Sequence, residues 1–153
     1  MRLSEVPVGV TVEVVKLFPS EISPRLRAVG ILPGVRIHVV KAAPMNNPRI
    51  YKIFNKLISL RNNEAYFVDV QIVENTPLPA SFVSPGDYKV MEIRAGRIAR
   101  SALERIGIVE GETLKITPDK KVVTQKGKFD IGFGKLAKIF VLPTENAENG
   151  VNI

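Results

Sequence analysis

Histidine occurs once, at position 38, and cysteine is absent. A single imidazole supports neither a histidine-based zinc site nor a Ser–His pair. Without thiols there are no disulfides, thiolate metal centres or cysteine nucleophiles. His38 lies between Ile37 and Val39 in an alternating segment, which turns it away from the core as an ordinary surface residue. The carboxylates are scattered: Glu64, Asp69 and Glu74 close the first half, and Asp119 and Asp130 lie in the second. None forms the spaced set of an EF-hand or a facial triad. What remains is at most a weak site for a divalent transition metal, with His38, Glu64 and Asp69 as its candidates. Serine and threonine occur without a nucleophile elbow. The chain therefore reads as non-enzymatic, with no cofactor required.

Residues suited to contact rather than catalysis are easier to find. Met45 stands in a loop between Pro44 and Asn46-Asn47-Pro48. A methionine there is either core or a soft contact for a partner. Lysine and arginine number 22 against 15 acidic residues, a formal net charge of +7. That excess suits an acidic protein surface, an anionic membrane face or nucleic acid, or serves only solubility. It is shared almost evenly, with ten basic and six acidic residues over 1–76 and twelve and nine over 77–153. No tail or helix concentrates it. Tyr51, Tyr66 and Tyr88 form no stacking cluster, so a nucleic-acid partner is not indicated. Arg61 and the Lys120-Lys121 pair read first as solvated charge.

The elements that must position these residues occur twice. Leu26, Gly30 and Gly34 recur as Leu103, Gly107 and Gly111, each 77 positions on, and Gly9 recurs as Gly86 in the same register. This is the signature of an internal repeat. Each copy carries a short helix; in the first, Ser23 is the expected N-cap and Pro24 the first helical residue. Gly30 and Gly107 then fall just past the helix end, where a left-handed residue is needed. Gly34 and Gly111 follow in tight turns, with Pro33-Gly34 read as type II. These four glycines are read as structural.

Around the helix the pattern has period two. Val10, Val12 and Val14 alternate with polar residues, as do Ile37 and Val39; Val68, Val70 and Ile72 close the copy. Strands are also expected over 50–54 and 57–60, with a left-handed Asn55 between them. The second copy offers strands over 89–93, 114–117, 122–125, 129–133 and 139–142, with a hairpin at Lys126-Gly127. The expected domains are 1–75 and 82–143. Residues 75–81 read as a linker and 144–153 as a flexible tail. No apolar run approaches the ~20 residues of a membrane span. The start of the chain has no signal-peptide pattern, so a cytoplasmic location is expected.

The first copy resembles the FeoA family, the small cytosolic component of ferrous iron uptake systems. The resemblance rests on residues 25–34, on 39–48 and on 58–65, in order and spacing over roughly 2–74. The second copy is similar but divergent. It keeps Gly86, Leu103, Gly107 and Gly111, shortens the 44–48 loop to 117–121, and reads Phe133-Gly134 and Leu136-Ala137 against Leu60-Arg61 and Glu64-Ala65. The resemblance implies a mainly β chain of two tandem SH3-like barrels, each with one short inserted α-helix. It also implies an accessory or regulator of the membrane ferrous iron transporter, whose cytosolic part is a GTP-binding domain. The chain would then sit at the inner face of the membrane through that partner. Arg25, Arg27, Met45, Asn46, Asn47 and Arg61 are the candidate contacts. A metal-sensing module related to the carboxy-terminal domain of DtxR-type regulators, or a basic nucleic-acid-binding barrel, is the alternative.

Overall fold

Alternation drives the first strand, β1 (Thr11–Leu17): Val12 and Val14 are buried while Thr11 and Glu13 face outward. The alternation breaks at Val15, an extra residue that shifts the pairing against the last strand of the unit and leaves its side chain exposed. The structure is a computed structural model that describes residues 1–145. Its contacts divide the chain into two units, Met1–Thr76 and Pro77–Ile153. The part of the expected tail after residue 145 lies outside the described residues.

In the first unit β1 is followed by α1 (Ser23–Ala28), β2 (Arg36–Ala42), β3 (Arg49–Ile53), β4 (Lys56–Leu60), the single turn α2 (Asn62–Ala65) and β5 (Val68–Ile72). The strands pair antiparallel in the order β4-β3-β2-β1-β5. The meander returns on its own first strand, and Leu3, Val12, Leu26, Ile31, Ile37, Tyr51, Ile53 and Val70 fill the interior. Arg49 is buried with them. Its Nη2 donates to the Leu3 carbonyl at 2.9 Å and its Nε to the Tyr51 hydroxyl at 3.1 Å, so the guanidinium enters the core with partners. Burial pushes the Tyr51 hydroxyl above its ordinary pKa, against the opposing pull of Arg49.

The second unit repeats the plan with β6 (Leu78–Pro79), β7 (Gly86–Ile93), α3 (Arg97–Arg105), β8 (Thr113–Ile116), β9 (Val122–Thr124), β10 (Gly127–Phe129), α4 (Phe133–Leu136) and β11 (Ile139–Pro143). Its order is β10-β9-β8-β7-β11-β6. The bulge recurs as well, with Met91 taking the place of Val15.

Both helices end alike. Gly30 N–H donates to Arg27 and Ile31 N–H to Leu26; Gly107 N–H donates to Glu104 and Ile108 N–H to Leu103, all at 3.0 Å. These are paired Schellman bonds, and they put the glycines at φ of 101° and 91°. Gly34 and Gly111, at φ of 89° and 92°, complete the turns that follow.

Several expectations are corrected. Ser23 is the first helical residue and not the cap; its hydroxyl donates to the Phe18 carbonyl at 3.1 Å and accepts from Ser20 N–H at 3.1 Å, fastening the preceding loop. The left-handed residue of the β3–β4 turn is Phe54 (φ 53°), because Ile53 pairs with Lys56 and leaves Phe54-Asn55 as the loop. In the second unit the loop is Gln125-Lys126, since Gly127 already pairs with Thr124. The strand expected over 129–133 stops at Phe129: Asp130 accepts from Gly132 N–H at 3.3 Å, and Gly132 (φ 80°) turns the chain into α4. Residues 78–79 of the expected linker form β6, paired with β11. Gly86 pairs with Ile116, the place Val10 takes against Val39, so the 77-residue register slips by one before the helix.

Candidate partner-binding edge of the first unit

The 44–48 loop is short, stiff and tied at both ends. Ala43 N–H donates to the Pro48 carbonyl at 3.0 Å, and Asn46 N–H to the Ala43 carbonyl at 2.9 Å. Met45 and Asn46 hold φ of 68° and 61°, which folds the loop outward. Met45 is 95% exposed, which resolves the choice between core and contact in favour of display. A thioether held in water on a rigid loop contributes nothing to folding, and its apolar surface gains only when something covers it.

The loop is anchored to α2. Asn62 N–H donates to Asn47 Oδ1 at 3.0 Å, and Asn62 Nδ2 to the Asn46 carbonyl at 2.8 Å. Arg61 precedes α2, and its N–H donates to Glu64 Oε1 at 2.9 Å. The other carboxylate oxygen, Glu64 Oε2, pairs with Arg25 Nη1 at 3.0 Å. Two residues of α2, Asn62 and Glu64, thus gather Arg25, Asn46, Asn47 and Arg61 at one edge with Met45. Arg27 is exposed on α1 with no link to this set. Asn62 was missed at the level of sequence, because an asparagine opening a four-residue turn has no pattern of its own. Arg49 was missed because arginine reads as surface.

The metal candidates stand apart. Glu64 is engaged by Arg25 and the Arg61 N–H, Asp69 by the amino group of Met1 at 3.3 Å, and His38 Nδ1 by Thr11 Oγ1 at 2.8 Å. No three histidine, aspartate or glutamate side chains group around a common point among the described residues. As placed, the three candidates His38, Glu64 and Asp69 do not converge on one point.

The second unit lacks this edge. Its α4 matches α2 residue for residue, since Ala65 N–H donates to Arg61 as Leu136 N–H donates to Gly132. Gly132 therefore replaces Arg61, Phe133 replaces Asn62 and Lys135 replaces Glu64, a shift from the pairing read in the sequence. Ala102 stands 77 positions after Arg25, so no salt bridge can form there. The 117–121 turn is closed by Thr117 N–H to the Lys121 carbonyl at 2.9 Å, with Lys120 (φ 60°) directed to the Ser81 and Val83 carbonyls.

The family model described as the FeoA domain matches residues 1–72. The solution structure of iron(II) transport protein A from Clostridium thermocellum is 30% identical, with a TM-score of 0.61, and the match covers 92% of this chain and 86% of that one. The chain belongs to the FeoA family. FeoA from Stenotrophomonas maltophilia, described as a prokaryotic SH3 domain protein and solved with zinc, is 28% identical; the match covers 46% of this chain and 89% of that one, with a TM-score of 0.43. An Fe(2+) transport protein A/Fe(2+) transporter FeoB fusion protein of Porphyromonas gingivalis is 32% identical over 84 residues, 53% of this chain. The chain spans about a tenth (10%) of that relative's length. The chain has a mainly β architecture, and it has no helix long and apolar enough to cross a membrane among the described residues.

Proposed function

We propose that this FeoA protein is a non-enzymatic accessory of ferrous iron transport that docks through the Met45 edge of its first unit on the cytosolic part of the transporter. The observation that carries the reading is the fusion relative, in which an A-type segment and an FeoB transporter share one polypeptide. Fusion makes contact between the two parts intramolecular and raises their effective concentration.

The chemistry of the edge suits such a contact. Its loop is already ordered, so little entropy is lost on docking. Met45 enters an apolar pocket while Arg25 and Arg61, both exposed, meet acidic groups at the rim. Arg27 lies outside this edge and contributes long-range attraction only. The location follows from the partner: beside the inner face of the membrane, with the GTP-binding domain as the docking surface.

Surface binding of the full chain to the transporter's cytosolic domain tests this. Met45→Asp places a charge in a desolvated contact and raises the off-rate, weakening binding by about tenfold or more. Arg61→Gln mainly slows association and flattens its salt dependence. Normal binding by Met45→Asp would place the contact elsewhere.

A further inference from the structure

The outer face of each sheet carries a groove in the same place. In the first unit, Thr11, His38 and Lys52 lie side by side across β1, β2 and β3, in one cross-strand row. With Arg36 and Phe54 they line an open groove of about 530 Å³. In the second unit the row is Asp87, Lys115 and Val123 across β7, β8 and β9, and with Thr113 and Gln125 it lines a groove of about 410 Å³. Repetition of the fold explains both grooves, but not their difference in chemistry. The first holds two cations, an imidazole and a phenyl ring, with no carboxylate. The second pairs one aspartate with one lysine and has no aromatic ring.

We propose that the groove of the first unit is a second docking site, on a different face element from the Met45 edge, and that it takes an acidic polypeptide segment carrying an aromatic or large apolar side chain. Three observations support this occupant. Charge is the first: Arg36 and Lys52 are exposed, and neither makes an ion pair among the described residues. Glu13, the cross-strand neighbour of Arg36, instead accepts from Gln71 Nε2 at 3.2 Å. Spacing is the second. Arg36 and His38 are alternate residues of β2, about 6.5–7 Å apart along the strand, the same repeat at which an extended peptide presents alternate side chains. The third is Phe54, displayed at the hairpin tip and 68% exposed, which offers a ring that a small anion would leave uncovered. His38 is held in place by Thr11 and so presents a fixed ring edge to the groove.

The test is fluorescence anisotropy of a labelled peptide of alternating glutamates with one central phenylalanine, titrated with the full chain. Saturable binding is expected. Arg36→Glu with Lys52→Glu should weaken it about tenfold or more and remove most of its salt dependence. Phe54→Gly, compatible with the left-handed backbone there, should weaken it several-fold at unchanged salt dependence. Lys115→Glu in the second groove and Met45→Asp should leave it unchanged. Thermal melts check folding, and Arg36→Gln with Lys52→Gln replaces the reversal if that variant melts early. No saturable binding, equal binding of a lysine-for-glutamate peptide, or unchanged binding by the charge variants would overturn the proposal. So would displacement of the peptide by low concentrations of inorganic phosphate, which would mark a small-anion site. Because Met45 lies outside the groove, failure here leaves the transporter contact standing, and failure of that contact leaves the groove.

Discussion

A methyl group added to Gly107 would stand 2.8 Å from Thr124 Oγ1 and 3.1 Å from its Cβ, while one added to Gly30 would meet the edge of the Phe54 ring at 3.6 Å. Both glycines hold a positive φ that side chains disfavour, so Gly30→Ala should cost about 1 kcal/mol from backbone strain. Gly107→Ala adds the clash, and Thr124 cannot yield freely because its hydroxyl donates to the Ile106 carbonyl at 2.5 Å. The denaturation midpoint should therefore fall further for Gly107→Ala than for Gly30→Ala, and equal midpoints would contradict the geometry. Tyr51 gives a pH-dependent counterpart. Burial raises its pKa in the folded chain above the ordinary value of 10.0, and burial acts in the same direction on Tyr88. The unfolded chain then loses these protons first as pH rises. The stability linked to the neutral hydroxyls is complete below about pH 10 and is lost as pH rises through the folded values. Thermal melts across that range should fall more steeply for the wild type than for Tyr88→Phe, which removes one of the two late-titrating groups.

At the scale of elements, α2 is a four-residue turn that does the work of a clamp. Asn62 joins it to the 44–48 loop through two hydrogen bonds, one from its backbone N–H to Asn47 Oδ1 and one from its side chain to the Asn46 carbonyl. Asn62→Ala removes the second and Asn47→Ala the first, so the double variant should free the loop without altering Met45. The expected result is faster amide exchange or proteolysis at 43–48, with transporter binding weakened several-fold through loss of preorganisation. Unchanged loop protection would mean that the proline and backbone bonds hold the loop alone. The elements differ in how far the sequence revealed them. Helix ends and tight turns were legible because glycine after a short apolar helix has a specific backbone cause. The 129–133 segment was not, because Phe129, Ile131 and Phe133 alternate like a strand while Gly132 breaks it. Phe54 escaped notice for the opposite reason: the neighbouring Asn55 is the better left-handed residue, but pairing of Ile53 with Lys56 assigns the conformation to Phe54. Arg49 reads as surface by type, and only the Leu3 carbonyl and Tyr51 hydroxyl, distant or unpredictable in orientation, make its burial tolerable.

Across the whole molecule, duplication has kept the frame and released the surface. The Schellman endings, the bulge and the strand order recur, whereas Asn62, Glu64 and Arg25 give way to Phe133, Lys135 and Ala102. Residues that hold a barrel together face constraints from all sides, while an edge or groove can change chemistry as long as it remains solvated. The same division governs metal binding. His38 sits on β2, Glu64 on α2 and Asp69 on β5, and each already has a partner. Collecting them around one ion would require breaking the Arg25–Glu64 pair and the Thr11–His38 bond, then moving strands whose registers are fixed by the core. Calorimetric titration of the full chain with zinc or iron(II) should therefore show no stoichiometric site tighter than about 1 μM. Surface carboxylates would contribute only weak, salt-sensitive heats. A tight site abolished by His38→Ala would mean that the fold rearranges to bind metal, and would replace the proposed docking role with that of a sensor. A tight site insensitive to His38 would place the ligands among carboxylates alone, where calcium or magnesium should compete with the transition metal.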